Sequence, residues 1–123
     1  MTPMTVAVLD ILVCEDDWMI RSNTVDMLRE AGHRTIGVPT GEEAIETLRA
    51  QKVDVLIADI GLPDMSGVDL AVAAKTLQPA LGIIFASGYS EADAPSKVLG
   101  ALRITKPFQI SDIERALVRL LGA

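Results

Sequence analysis

Glu15, Asp16, Asp59, Ser87 and Lys106 each stand where a short apolar run gives way to polar residues. Together they form a set that could bind a divalent cation and move a phosphoryl group. Three carboxylates gathered within ~5 Å repel by about 3 kcal/mol per pair at an effective dielectric near 20. A cleft that holds them must therefore protonate one or admit a cation. Oxygen ligands select a hard ion. Mg²⁺ takes one or two carboxylates, keeps several waters and reaches for a phosphate oxygen. Lys106 can neutralise such an oxygen as a compact point charge, and the Ser87 hydroxyl can donate to another. Asp59 at the centre is then the candidate nucleophile and would form an aspartyl phosphate. Positioning and charge neutralisation would supply most of the catalysis.

These residues can meet only if their elements deliver them to one edge. Asp54-Val55-Leu56-Ile57-Ala58-Asp59 is an apolar run ending in an acid, followed by the turn residues Gly61, Pro63 and Gly67. Such a run suits a parallel strand covered on both faces. Ile11–Cys14 repeats the pattern and ends in Glu15-Asp16-Asp17. Thr35–Val38, Gly82–Ala86 and Leu102–Thr105 supply three more strands.

Helical periodicity lies between the strands. One helix is expected over Trp18–Ala31, with Ile20, Thr24, Met27, Leu28 and Ala31 on its buried face and Gly32 as its stop. A second runs from a Thr40/Glu43 capping pair to Gln51, and a third from Gly67 to Leu77, capped by Ser66 with Asp69. The stretch Glu91–Gly100 reads as a short, irregular helix because it contains Pro95. The last is expected to start at Ser111, capped by Glu114, and to bury Ile113, Ala116, Leu117 and Leu120. Alternating strands and helices on short connections give a parallel sheet with five helices on its two faces. In such a sheet the strand ends converge on one cleft, which brings the chemical set together.

At 123 residues the chain makes one domain, 1–123, with residues 1–9 either an extension of the first strand or a flexible lead-in. The formal net charge of −6 argues against direct nucleic-acid or anionic-membrane partners. One cysteine and one histidine exclude a disulfide framework and a multi-thiolate zinc site, and point to a reducing cytoplasm. Cys14 is expected in the core and His33 on the surface of a strand. Asp54 and Asp64 read as strand-end and turn residues, and Asp17 as a neighbour of the acids that does not ligate.

Taken in order, Glu15-Asp16, Asp59-Ile60-Gly61-Leu62-Pro63 with Gly67 following, Ser87 after an apolar strand, and Lys106-Pro107-Phe108 resemble the receiver domain of bacterial two-component response regulators. The likeness runs from about Asp10 to Leu121. It implies a flavodoxin-like fold with strand order 2-1-3-4-5 and phosphorylation of Asp59 by a histidine kinase or histidine phosphotransfer protein. It also implies that Asp16 binds Mg²⁺ directly, Glu15 mainly through water, and Gly61 through its carbonyl, with Mn²⁺ as a substitute. Lys106 and Ser87 would hold phosphoryl oxygens, and a cis bond is implied at Lys106-Pro107.

The resemblance further implies a stand-alone module that is not an enzyme beyond assisting its own phosphorylation and dephosphorylation, and whose output passes to a separate protein target. Ser87, Arg103 and Pro107 would lie at the switch and partner surface. Receivers usually carry Tyr or Phe where this chain has Arg103, so Ser87 is expected to signal by moving its loop. Gly61 and Tyr89 fall where receivers line the path of the attacking water, and Trp18, directly after the acids, either flanks the cleft or packs at the start of its helix. Two other functions compete. A receiver-like scaffold would bind partners without phosphorylation. A Mg²⁺-dependent phosphohydrolase with an aspartate nucleophile would want a second acid two residues on, where this chain has Gly61.

Overall fold

The computed structural model describes residues 8–88 and 100–121. Five strands run β1 (Asp10–Cys14), β2 (Arg34–Val38), β3 (Val55–Asp59), β4 (Gly82–Ser87) and β5 (Leu102–Thr105). They pair in parallel in the order β2-β1-β3-β4-β5, as the resemblance implies. The helices among the described residues are α1 (Trp18–Glu30), α2 (Gly41–Ala50), α3 (Gly67–Leu77) and α4 (Ile110–Leu121). The helix expected over Glu91–Gly100 lies outside the described residues except for Gly100, a turn residue with φ +81°. Residues 1–7 and Tyr89 also lie outside them. No helix among the described residues is long and apolar enough to cross a membrane.

The unbroken apolar strands bury both faces because successive side chains point to opposite sides. Leu12, Cys14, Leu56, Ala58, Ile83 and Phe85 pack beneath Ala44 and Leu48 of α2 and Leu70, Ala71 and Ala74 of α3. Ile11, Val13, Val55, Ile57, Ile84 and Ala86 pack against Val25 and Leu28 of α1 and Ile113, Ala116 and Leu117 of α4. Cys14 is in the core, and burial pushes its thiol up to about 12.

Helix ends follow local chemistry more than the expected boundaries do. Asp17 caps α1, its carboxylate accepting from the Met19 and Ile20 N–H groups at 2.9 and 3.1 Å. Gly32, at φ +99°, ends that helix in a backbone region that glycine enters without steric cost. The buried face of α1 is Thr24, Val25 and Leu28; Ala31 is the exposed C-cap rather than a core residue. Thr40 and Ser66 cap α2 and α3 as expected. The last helix departs from expectation. It begins at Ile110, and the Asp112 carboxylate reaches back to the Gln109 N–H at 2.8 Å, so the Ser111/Glu114 pairing does not form its cap.

At the edge of the sheet opposite the cleft, Gln78 ties three segments. Its amide NH₂ donates to the Leu48 and Gln51 carbonyls at 2.9 Å, and its carbonyl accepts from the Val53 N–H at 3.0 Å.

His33 is buried at 8% exposure instead of lying on the surface. Its Nδ1 accepts the Leu9 N–H at 3.2 Å, a bond that only the neutral ring can make. Burial lowers its pKa from the ordinary 6.5, against the opposing charge of Glu114. A depressed folded-state pKa contributes stability that is present above the unfolded value and lost as pH falls through the folded one. Urea stability should therefore decline as pH drops below about 6.5 by more than in His33→Gln, and equal slopes in the two proteins would remove His33 from the pH response.

Candidate functional site

The register of the sheet puts the expected residues at one level. Cys14 pairs with Ala58, so Glu15 and Asp59 leave β1 and β3 side by side, and Asp59 itself pairs with Ala86. Ser87 pairs with Thr105, and the Lys106 N–H donates to the Ser87 carbonyl at 2.8 Å, which carries Lys106 to the same edge. The strand order reverses between β1 and β3. Open α/β sheets bind ligands at such a reversal, because adjacent connections leave in opposite directions and part to make a crevice.

Glu15, Asp16 and Asp59 each offer a carboxylate oxygen, and these oxygens lie within 4.8 Å of one another. Lys106 Nζ stands 2.6 Å from Glu15 Oε1 and 3.3 Å from Asp59 Oδ1. One ammonium against three carboxylates leaves two negative charges uncompensated when all are ionised. A divalent cation fits that imbalance and the all-oxygen donor set.

Burial pushes the Glu15 carboxyl above its ordinary range. The Lys106 bond and the Asp17 N–H, 3.1 Å from Oε2, pull the other way without overcoming it, and the Asp59 charge adds to the rise. Burial by itself would lower the Lys106 pKa; its bond to Glu15 and the charges of Glu15 and Asp59 raise it instead, so Lys106 is a fixed cation.

Ser87 is fully buried, and its Oγ has no hydrogen-bond partner. Leaving a buried hydroxyl unsatisfied costs about 1–3 kcal/mol, so this atom fits a ligand oxygen that completes it. Gly61 is exposed and its N–H lies 3.4 Å from Asp59 Oδ1. The Lys106-Pro107 peptide is cis. Arg103 is exposed on the edge strand β5, in register with Phe85, and Pro107 is exposed just beyond it. Trp18 stands 65% exposed at the start of α1, flanking the acids.

Two residues do more than their sequence reading gives them. Asp64 is a turn residue as expected, yet its carboxylate accepts the Gly41 and Glu42 N–H groups at 2.9 Å. Those bonds hold its pKa down and pin the β3–α3 loop to the start of α2. Gly67 is the turn glycine the sequence indicates, and the reason is contact. A Cβ there would sit 2.3 Å from the Asp59 carbonyl oxygen and 2.8 Å from Ile60 Cα, both backbone. Its N–H also donates to the Ile60 carbonyl at 2.7 Å. Asp54, for its part, holds the Asp10 N–H at 2.8 Å, away from the cleft.

A family model described as response regulator receiver domain matches residues 11–118. The transcriptional regulatory protein PdtaR of Mycobacterium tuberculosis is 34% identical over 113 residues, covering 87% of this chain and 54% of that protein. The chain thus spans about half the length of this relative. The response regulator receiver protein CpdR of Brucella abortus is 33% identical over 121 residues, covering 92% of this chain and 97% of that one. Among solved structures, response regulator TrrA of Thermotoga maritima, in complex with Mg²⁺-BeF, superposes with a TM-score of 0.82 at 25% identity, covering 92% of this chain and 99% of that one.

Two outcomes test the geometry. Gly67→Ala should destabilise the fold by about 1–3 kcal/mol, since backbone and not a side chain must give way; an unchanged urea midpoint contradicts the close approach. In EDTA, Glu15→Gln should lose less stability than the parent as pH rises from about 4.5 towards neutrality. A raised folded-state pKa means that the parent loses stability as pH climbs from the ordinary value of 4.5. Below that pH the two slopes should be equal, and equal slopes above it as well would remove Glu15 from the pH response.

Proposed function

This chain belongs to the response regulator receiver domain family, a phosphorylation-switched signalling module, and from that premise we propose that Asp59 is the residue that accepts the phosphoryl group. The observation that carries this reading is Lys106 Nζ standing within 3.3 Å of Asp59 in a cleft that still has two excess negative charges. An Asp59 carboxylate oxygen forms the new O–P bond while the N–P bond of a donor phosphohistidine breaks and its electron pair returns to the imidazole. Lys106 and the Ser87 hydroxyl hold the phosphoryl oxygens. Asp16, Asp59 and the Gly61 carbonyl would hold Mg²⁺ directly and Glu15 mainly through water, with Mn²⁺ as a substitute. The bound cation supplies charge neutralisation on the transferring group.

The donor on this reading is a histidine kinase or histidine phosphotransfer protein in the cytoplasm, and the recipient of the output is another protein. The position where an aspartate-nucleophile phosphohydrolase needs its general acid is Gly61, which has no side chain to give a proton. The switch begins at Ser87, whose buried hydroxyl gains a partner when Asp59 is modified. The Lys106 N–H bond to the Ser87 carbonyl then links both phosphoryl contacts to the β5 edge carrying Arg103 and to Pro107 just past it.

Millimolar Mg²⁺ should raise the Tm, by the equivalent of about 2.7 kcal/mol at a hundredfold excess over Kd. Asp16→Asn should lose most of that rise. Acetyl phosphate with Mg²⁺ should add one phosphoryl mass to the parent, and none to Asp59→Ala. Ser87→Ala should leave Asp59 modifiable while reducing the accompanying change in amide exchange on β5. No labelling of Asp59 by any phosphodonor, with Mg²⁺ bound, would favour a scaffold that works unphosphorylated.

A further inference from the structure

Arg21, in the first turn of α1, turns its guanidinium back beneath the acidic loop. One Nη1 donates to the Glu15 carbonyl at 2.8 Å and to the Asp16 carbonyl at 3.4 Å. Neither bond takes up a carboxylate oxygen. The Arg21 stem runs against Gly37 of β2, where an added Cβ would lie 3.1 and 3.3 Å from its Cγ and Cδ. The absence of a side chain on Gly37 therefore leaves the channel through which the arginine reaches the loop.

The same short loop is held from its other side. The Glu15 N–H donates to the Val38 carbonyl at 3.0 Å, and the Asp17 carboxylate is occupied in capping α1. Asp16 is exposed, so the direction of its carboxylate depends on the peptide units that flank it. Those are the units that Arg21 grips.

We propose that Arg21 is a positioning residue for the divalent cation. It fixes the Glu15 and Asp16 peptides, and with them the backbone that directs both carboxylates. An arginine paired directly to the Glu15 or Asp16 carboxylate would compete with the ion; one bonded to their carbonyls leaves every ligand oxygen open. Groups that orient metal ligands from behind are worth about 10- to 100-fold in affinity. The inference rests on reading Glu15, Asp16 and Asp59 as the Mg²⁺ site.

Calorimetric Mg²⁺ titration of the parent, Arg21→Gln and Arg21→Lys, beside urea midpoints in EDTA, separates the two ideas. Arg21→Gln should raise the Mg²⁺ Kd about tenfold or more. Arg21→Lys keeps a donor that can reach one carbonyl, so it should recover part of the loss. If Arg21→Gln does not fold, the lysine variant alone should still bind Mg²⁺ more weakly than the parent. A lower urea midpoint with an unchanged Mg²⁺ Kd in the folded variants would show a structural role only and overturn the proposal. Failure of the parent itself to bind Mg²⁺ would instead bring down the cation reading on which it stands.

Discussion

Like charge held at close range is the constraint around which this molecule is built. Glu15, Asp16 and Asp59 bring carboxylate oxygens within 4.8 Å of one another, and Lys106 is the one cation paired to this cluster among the described residues. Left alone, such a cluster would push its loops apart. It stays assembled because both acid-bearing strands are central in the sheet, flanked by neighbours and covered by two apolar layers. The folding free energy of those layers holds the charges where a cation and a phosphoryl group would find them. Unfavourable electrostatics in the free protein thus become binding energy for whatever relieves them.

The loops carry the same logic at finer scale. Gly67 lets α3 start against the Asp59 backbone, and Asp64 ties that loop to α2 through two N–H groups. Asp17, third in a run of acids, spends its charge on a helix end where positive dipole and free N–H groups accept it. Neighbouring acids in one tripeptide therefore do different work because their backbone surroundings differ.

Much of this was legible in the sequence, and what was not shares a physical cause. The apolar runs of β1 and β3 announced buried parallel strands, and α3 and β5 fall on their expected boundaries. The convergence of Glu15, Asp16, Asp59 and Lys106 followed from strand ends sharing one edge. His33 was misread because its partner, the Leu9 N–H, lies 24 residues away, and no local pattern distinguishes a buried ring nitrogen from a solvated one. The start of α4 was misread because Ser111/Glu114 and Gln109/Asp112 offer similar cap spacing, and the choice between them is made by where β5 delivers the chain. Arg21 gave no signal because its bonds go to backbone carbonyls, which every sequence contains.

The central claim is that one cleft takes a divalent cation and a phosphoryl group together, each relieving or exploiting the charge the other leaves. Linked binding is reciprocal, so Mg²⁺ affinity measured with and without beryllium fluoride tests it directly. The one tryptophan, Trp18, flanks the acids and offers a fluorescence readout of the titration. Beryllium fluoride should tighten Mg²⁺ binding, Mg²⁺ should tighten beryllium fluoride binding by the same factor, and Asp59→Asn should abolish the coupling. Mg²⁺ affinity that is identical with and without beryllium fluoride, although both ligands bind, would contradict a shared site at Asp59.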